Sequence, residues 1–192
     1  MIIRHRLFWR ILFTTIMAIG STPITTWAQS ASAPELKAAF LFNFARFTEW
    51  PADILAPAQP LTVCVVEDDL VANVLQDLVK GHPIGDHAVG ISRMKVDGVP
   101  HEKGACHLLY APHLNAKMSG VLLDAVKGAA VFTIGDGDEF TQLGGVGSFF
   151  LESGKIRFAI NVHSAQRARV QLSSRLLTLA KIVKDASNAV QH

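Results

Sequence analysis

Little in this 192-residue chain supports catalysis, metal binding or nucleic-acid recognition. No G-x-S-x-G elbow is present, and neither cysteine has an obvious catalytic partner, which removes the common nucleophile arrangements. His82, His87, His101, His107 and His113 lie close in sequence, but none forms an H-x-x-x-H or H-E-x-x-H pair. They read as scattered surface histidines, and no metal site is expected. Past the N-terminus no apolar run approaches the roughly 20 residues that a bilayer span needs. Charge of one sign is also missing. The chain holds 18 Lys and Arg against 16 Asp and Glu, and residues 1–28 take three arginines and no acid, leaving 15 against 16. The apparent basicity belongs to the N-terminus, no basic stripe interleaved with aromatics remains, and no nucleic-acid partner is expected.

What is present begins with Arg4, Arg6 and Arg10, an apolar stretch from about Ile11 to Gly20, and a small-residue site at Thr26-Trp27-Ala28. This is the pattern of a secretory signal peptide cleaved near Ala28; a retained membrane anchor is the alternative, against which the apolar stretch is short of the roughly 20 residues a span takes. Residues 29–192 are then one exported domain, long enough to bury a sizeable core. In an oxidising compartment its cysteines, Cys64 and Cys106, are expected to form a disulfide. A redox switch or a metal site are the weaker alternatives. Closing a loop of about 43 residues would stabilise the fold by roughly 4 kcal/mol.

After an N-terminal helix, the segment PADILAPAQP leads into LTVCVVE, a continuous β-branched run suited to a strand buried on both faces. LVANVLQDLVKG has helical spacing, with Gly81 as its stop, and HAVGISRMKV alternates like a strand. CHLLYAP reads as a short buried strand, NAKMSGVLLDAVKG as a helix ending at Gly128, and AAVFTIGD as another strand. GSFFLESGKIRFAINV reads as a hairpin turning at Glu152-Ser153-Gly154, and a last amphipathic helix is expected from about Ser164 to Ala186. The alternation implies an α/β three-layer sandwich: a mainly parallel sheet with a late antiparallel hairpin and helices on both faces.

Two stretches resemble catalytic motifs and fail on detail. Glu67, Asp68 and Asp69 end the first long strand, as the Mg²⁺-binding acids of receiver domains do. The later strand that should carry the phosphoacceptor ends instead in Tyr110-Ala111-Pro112-His113, so the acids are expected to cap the next helix. In GDGDEFTQLGG, the third glycine of a G-x-G-x-x-G pattern would fall at Phe140, and Asp136, Asp138 and Glu139 would repel an anion. A surface turn is expected there, without cofactor.

The sequence ELKAAFLFNFARFTEWP, residues 35–51, places Leu36, Phe40, Phe44 and Phe47 on one helical face. Glu35, Arg46 and Glu49 group opposite, with Phe42 among them. A ring amid charges is either covered by the same chain or available to a partner. Phe42, Arg46 and Glu49 are therefore candidate partner-binding residues. Near the C-terminus, Arg167 and Arg169 are candidates for an acidic partner or a small anionic ligand, with a solvated helix face as the plainer alternative.

KAAFLFNFARFTEWP also resembles the signature near the mature start of the YfiR family. The likeness continues through the Cys64 strand, Cys106-His-Leu-Leu-Tyr, FTIGDGDEFTQLGG and KIRFAINVHSAQRARVQLSSRLLTLAKIV. It implies a periplasmic α/β regulator that binds the sensing part of an inner-membrane diguanylate cyclase and represses cyclic di-GMP synthesis and biofilm formation, without enzymatic activity. It also implies a homodimer and an outer-membrane lipoprotein that sequesters the repressor. Cys64 and Cys106 match the family pair whose bond supports folding. A second pair in the late hairpin of some members is missing, so redox control through it is not inherited. The alternative function is a periplasmic small-molecule-binding sensor module serving another membrane receptor.

Overall fold

Ser32 starts the first helix by a reciprocal exchange: its hydroxyl accepts from the Glu35 N–H at 3.4 Å, and the Glu35 carboxylate accepts from the Ser32 N–H at 2.7 Å. This capping box satisfies two donors that a helix start leaves unpaired. The resulting α1 runs Ala33–Arg46 in a computed structural model that describes residues 31–98 and 104–183. The expected leader, residues 1–28, lies outside the described residues, as do His101 and the last residues of the chain.

The elements that follow α1 are β1 (Thr48–Glu49), β2 (Leu61–Val66), α2 (Asp69–Val79), β3 (Val89–Met94), β4 (Leu108–Tyr110), α3 (Ala116–Ala125) and β5 (Phe132–Asp136). Then come α4 (Asp138–Gln142), β6 (Gly147–Glu152), β7 (Lys155–Asn161), α5 (Val162–Arg167), β8 (Gln171–Leu172), α6 (Ser174–Leu179) and β9 (Lys181–Val183). The main sheet has the order β3-β2-β4-β5-β6-β7-β9. Its first five strands are parallel, β7 turns back antiparallel to β6, and β9 runs parallel to β7. In order of appearance the parallel strands lie 2-1-3-4-5, a doubly wound arrangement whose crossovers reverse between β2 and β4. The expected α/β sandwich with its late hairpin is thus the fold observed.

Alternate residues of each strand feed two cores. On one side, Val63, Val65, Leu108, Tyr110, Phe132, Ile134, Phe149 and Phe158 meet α1 and α2. On the other, Cys64, Val66 and Leu109 meet α3 and Phe140 of α4. Asp68 accepts from the Val71 N–H at 3.0 Å and caps α2, the structural role expected of these acids. Ser153 and Gly154, both at positive φ, make the β6–β7 turn. Two such residues match the twist of the flanking strands.

Three expectations are corrected. The helix expected from Ser164 to Ala186 is broken into α5, β8, α6 and β9 over its described part. Arg169 adopts a left-handed φ of 57°, and Ser173 recaps the chain by accepting from the Leu176 N–H, so the helix cannot run through. Glu49 is not on α1, because the helix closes at Phe47, whose N–H donates to Asn43. The stripe α1 buries most deeply is Ala38, Leu41, Phe44 and Ala45, displaced from the one expected because α1 packs on α2 as well as on the sheet.

The turn after β5 contains the short helix α4, and two of the glycines flanking it serve packing, while Gly137 and Gly144 take positive φ. The ring of Phe140 lies between Gly135 and Gly145: a Cβ would stand 2.4 Å from it at the first and 2.3 Å at the second. At Gly145 a Cβ would also meet the Phe140 carbonyl at 2.8 Å. Gly135→Ala and Gly145→Ala are each expected to destabilise by about 1–3 kcal/mol, the cost of overpacking. At Gly135 the nearest obstacles are all ring atoms, so Phe140→Ala should absorb much of the Gly135→Ala cost and less of that of Gly145→Ala. Thermal melts of the singles and both pairs check this; additivity at Gly135 would refute it.

Candidate functional site

Two groups of polar side chains stand at opposite ends of the sheet. At the C-terminal ends of β4 and β5, the Lys37 ammonium of α1 donates to the Tyr110 hydroxyl at 2.9 Å and to the two Asp136 oxygens at 3.0 and 3.1 Å. It also lies 5.5 Å from the Tyr110 ring centre and 5.7 Å from that of Phe149. His113 approaches Asp136 at 3.7 Å from the solvent side. Burial, with the charges of Asp136 and Asp68, raises the Tyr110 pKa and keeps the phenol protonated. Sequence reasoning missed Lys37 and Tyr110, because only the docking of α1 brings them together. The cluster pins the start of α1 to the sheet, and its charges are already satisfied by one another.

At the other end, the antiparallel pair β1–β8 joins regions distant in sequence. Thr48 faces Leu172, Glu49 faces Gln171, and the Ser173 N–H donates to the Phe47 carbonyl at 3.0 Å. One Arg169 nitrogen donates to both Asp53 oxygens, at 2.7 and 3.0 Å. Arg167 donates to the Ser164 hydroxyl at 2.9 Å. Arg46 is exposed, its guanidinium 5.8 Å from the Phe47 ring centre, and Glu49 is exposed as well. Phe42 is half-buried against the main core. The two candidate sets, Arg46 with Glu49 and Arg169, therefore meet around one two-stranded ladder.

Beneath this ladder lies a histidine that sequence reasoning placed on the surface. His107 is completely buried. Its Nδ1 accepts from the Thr62 N–H at 3.0 Å, so the proton of the neutral ring sits on Nε2, which donates to the Ile54 carbonyl at 3.3 Å. Its own carbonyl accepts from the Trp50 Nε1–H at 3.0 Å. Burial lowers the His107 pKa, against the opposing effect of the Ile54 carbonyl, and His87 lowers it further. Its position in the apolar run CHLLY was the available signal.

Cys64 and Cys106 form the expected disulfide, with Cα atoms 5.8 Å apart. It ties β2 to the approach to β4, the two strands between which the crossovers reverse. A shallow cleft of about 310 Å³, lined by Gln76, Val79, Lys80, His82 and Val89 among others, lies beside the start of β3, away from the Lys37 cluster. Among the described residues no three His, Cys, Asp or Glu side chains gather to hold a metal ion, and no helix is long and apolar enough to cross a membrane.

A family model described as YfiR/HmsC-like matches residues 34–181, from the first turn of α1 to the start of β9. The chain belongs to the YfiR/HmsC-like family. Both polar clusters, the disulfide and the Phe140 clamp fall inside the matched YfiR/HmsC-like region. No curated protein matches the chain. Among solved structures it is similar to a conserved domain protein from Vibrio cholerae O1 biovar El Tor, at 14% identity and a TM-score of 0.50 over 81% of this chain and 62% of that one. It also has a weaker likeness to the ABC domain from Streptococcus pneumoniae in complex with L-Trp, at 11% identity and a TM-score of 0.47 over 69% of this chain and 57% of that one. This chain thus spans less than two thirds of either protein. The first likeness concerns the fold alone, and the second supports no reading.

Proposed function

We propose that this protein acts by binding: exported after cleavage near Ala28, it docks on the periplasmic sensing part of an inner-membrane diguanylate cyclase and restrains cyclic di-GMP synthesis and biofilm formation. Membership of the YfiR/HmsC-like family is the observation that carries this reading. The docking surface in this proposal is the region around β1–β8, where Arg46 and Glu49 stand exposed beside the Arg169–Asp53 pair. Phe42, half-buried, supplies an apolar margin to it. Arg169 contributes by fixing the corner through Asp53. Sequestration by an outer-membrane lipoprotein and a homodimeric state belong to the same reading.

A deletion strain that expresses the cyclase should show raised cyclic di-GMP; unchanged levels would sink the proposal. For the surface, Arg46→Glu combined with Glu49→Lys is expected to weaken binding to the cyclase sensing domain more than about threefold, or roughly 0.6 kcal/mol. Phe42→Ala is expected to weaken it further. Lys127→Glu, an exposed change next to α3, should leave binding unchanged. Titration calorimetry at constant salt reads all four, with melting curves to verify folding. Equal affinities throughout would move the interface elsewhere.

A further inference from the structure

The segment that carries Glu49 and Asp53 is held to the sheet by His107. Trp50, the residue after β1, donates its indole N–H to the His107 carbonyl, and Ile54, the residue after Asp53, accepts from His107 Nε2. The ring itself is anchored on β2, where the Thr62 N–H donates to Nδ1. An imidazole can accept at Nδ1 only while that nitrogen carries no proton. Protonation turns the acceptor into a second donor facing the Thr62 N–H, and places a charge where the ring is fully buried. Both consequences push the ring out of its seat: the bond to Ile54 goes with it, and Trp50 loses the imidazole packed edge-on at 6.0 Å, keeping only its bond to the main-chain carbonyl.

We propose that His107 is an acid-sensitive latch on the β1–β8 surface: neutral, it clamps the Trp50–Ile54 segment to the sheet, and protonation in the opened state releases that segment and loosens partner binding. The link to binding rests on the function proposed above; the latch itself does not. Charged and titratable groups lie on several of the elements around the site. The turn after α2 brings His87, 3.3 Å from Asp86; the Trp50–Ile54 segment brings Asp53, paired with Arg169; and β1 brings Glu49. β2 and the approach to β4 contribute the Cys64–Cys106 bond, which does not titrate, and the acid of β5, Asp136, sits at the far end of its strand.

The sign follows from proton counting. The closed state binds fewer protons than the opened one, whose imidazole titrates near 6.5, so the opened population grows as pH falls below that value, by up to about tenfold per unit. Above it the opened population no longer changes with pH.

The chain has three tryptophans, and Trp9→Phe with Trp27→Phe leaves Trp50 as the sole emitter. In that background, Trp50 emission should shift to the red and become quencher-accessible between about pH 7 and pH 5, with the far-UV spectrum unchanged. His107→Gln, which keeps an acceptor and a donor without the titration, should flatten the profile. A flat parent profile, the same profile in His107→Gln, or far-UV loss in step with Trp50 would each overturn the latch. Exchange of the Thr62 amide, corrected for its intrinsic rate, reads the same opening in the full unmutated chain should His107→Gln fail to fold; no acid-dependent gain would be equally fatal. Affinity for the cyclase sensing domain over the same pH range then separates the claims. Opening without loss of affinity overturns the link to the interface, whereas no binding at any pH counts against the proposed function and leaves the latch standing on Trp50 and Thr62.

Discussion

Replacing Cys64 and Cys106 together by alanine is expected to lower stability by about 4 kcal/mol. The bond closes a loop with a sequence separation of 42 residues, and the chain-entropy model assigns that figure to the freedom an open loop regains on unfolding. The loop holds α2, β3 and the approach to β4, so the cross-link joins two strands that are neighbours in the sheet but separated in sequence by a whole crossover. Alanine is the appropriate replacement. Cys64 is completely buried and Cys106 nearly so, and a serine hydroxyl there would add a desolvation cost of its own. For a domain of this size about 4 kcal/mol corresponds to a fall of about 10 °C in melting temperature. Denaturant titration should show a lower midpoint in the alanine pair, and dithiothreitol should shift the parent towards it. Coincident melting of parent and variant would show that the bond contributes nothing to the folded state.

The cysteine pairing was legible because it needed only composition and compartment. The strands and most helices were legible for a similar reason. LTVCVV and AAVFTIGD are buried on both faces and show it in their own residues, and Gly81 and Gly128 stop helices by local backbone freedom at positive φ. What was misread depends on distant partners. Residues 164–183 have a helical distribution of leucines, yet β8 forms because β1 offers it a ladder, and β9 forms because β7 does. The glycines around Phe140 read as a surface turn, and nothing local to them shows that α4 folds its buried ring between Gly135 and Gly145. His107 resembled a surface residue because the groups that satisfy it, Thr62 and Ile54, lie 45 and 53 positions away. Lys37 and Asp136 are 99 positions apart, and no pattern within either segment joins them.

Phe44→Ala is expected to cost about 3–5 kcal/mol, the range for deleting a buried ring. Phe44 is 1% exposed and lies among four other phenylalanines, with ring centres 6.0 Å from Phe40, 5.7 Å from Phe132, 5.8 Å from Phe149 and 4.8 Å, edge-on, from Phe158. Truncation removes its own buried area and leaves each neighbour facing a void that the rigid sheet below cannot fill. Phe44→Leu keeps most of the volume and should lose distinctly less. Phe42, on the same helix, is half-buried at the margin of this core, so Phe42→Ala should cost less stability than Phe44→Ala and should weaken partner binding as well. The two substitutions divide the labour of α1's aromatic residues between docking the helix and presenting a surface. Parallel melts and binding isotherms of the two variants measure that division. A Phe44→Ala protein that melts with the parent would mean that the ring cluster does not hold α1, and the placement of Arg46 and the β1–β8 ladder would then need another cause.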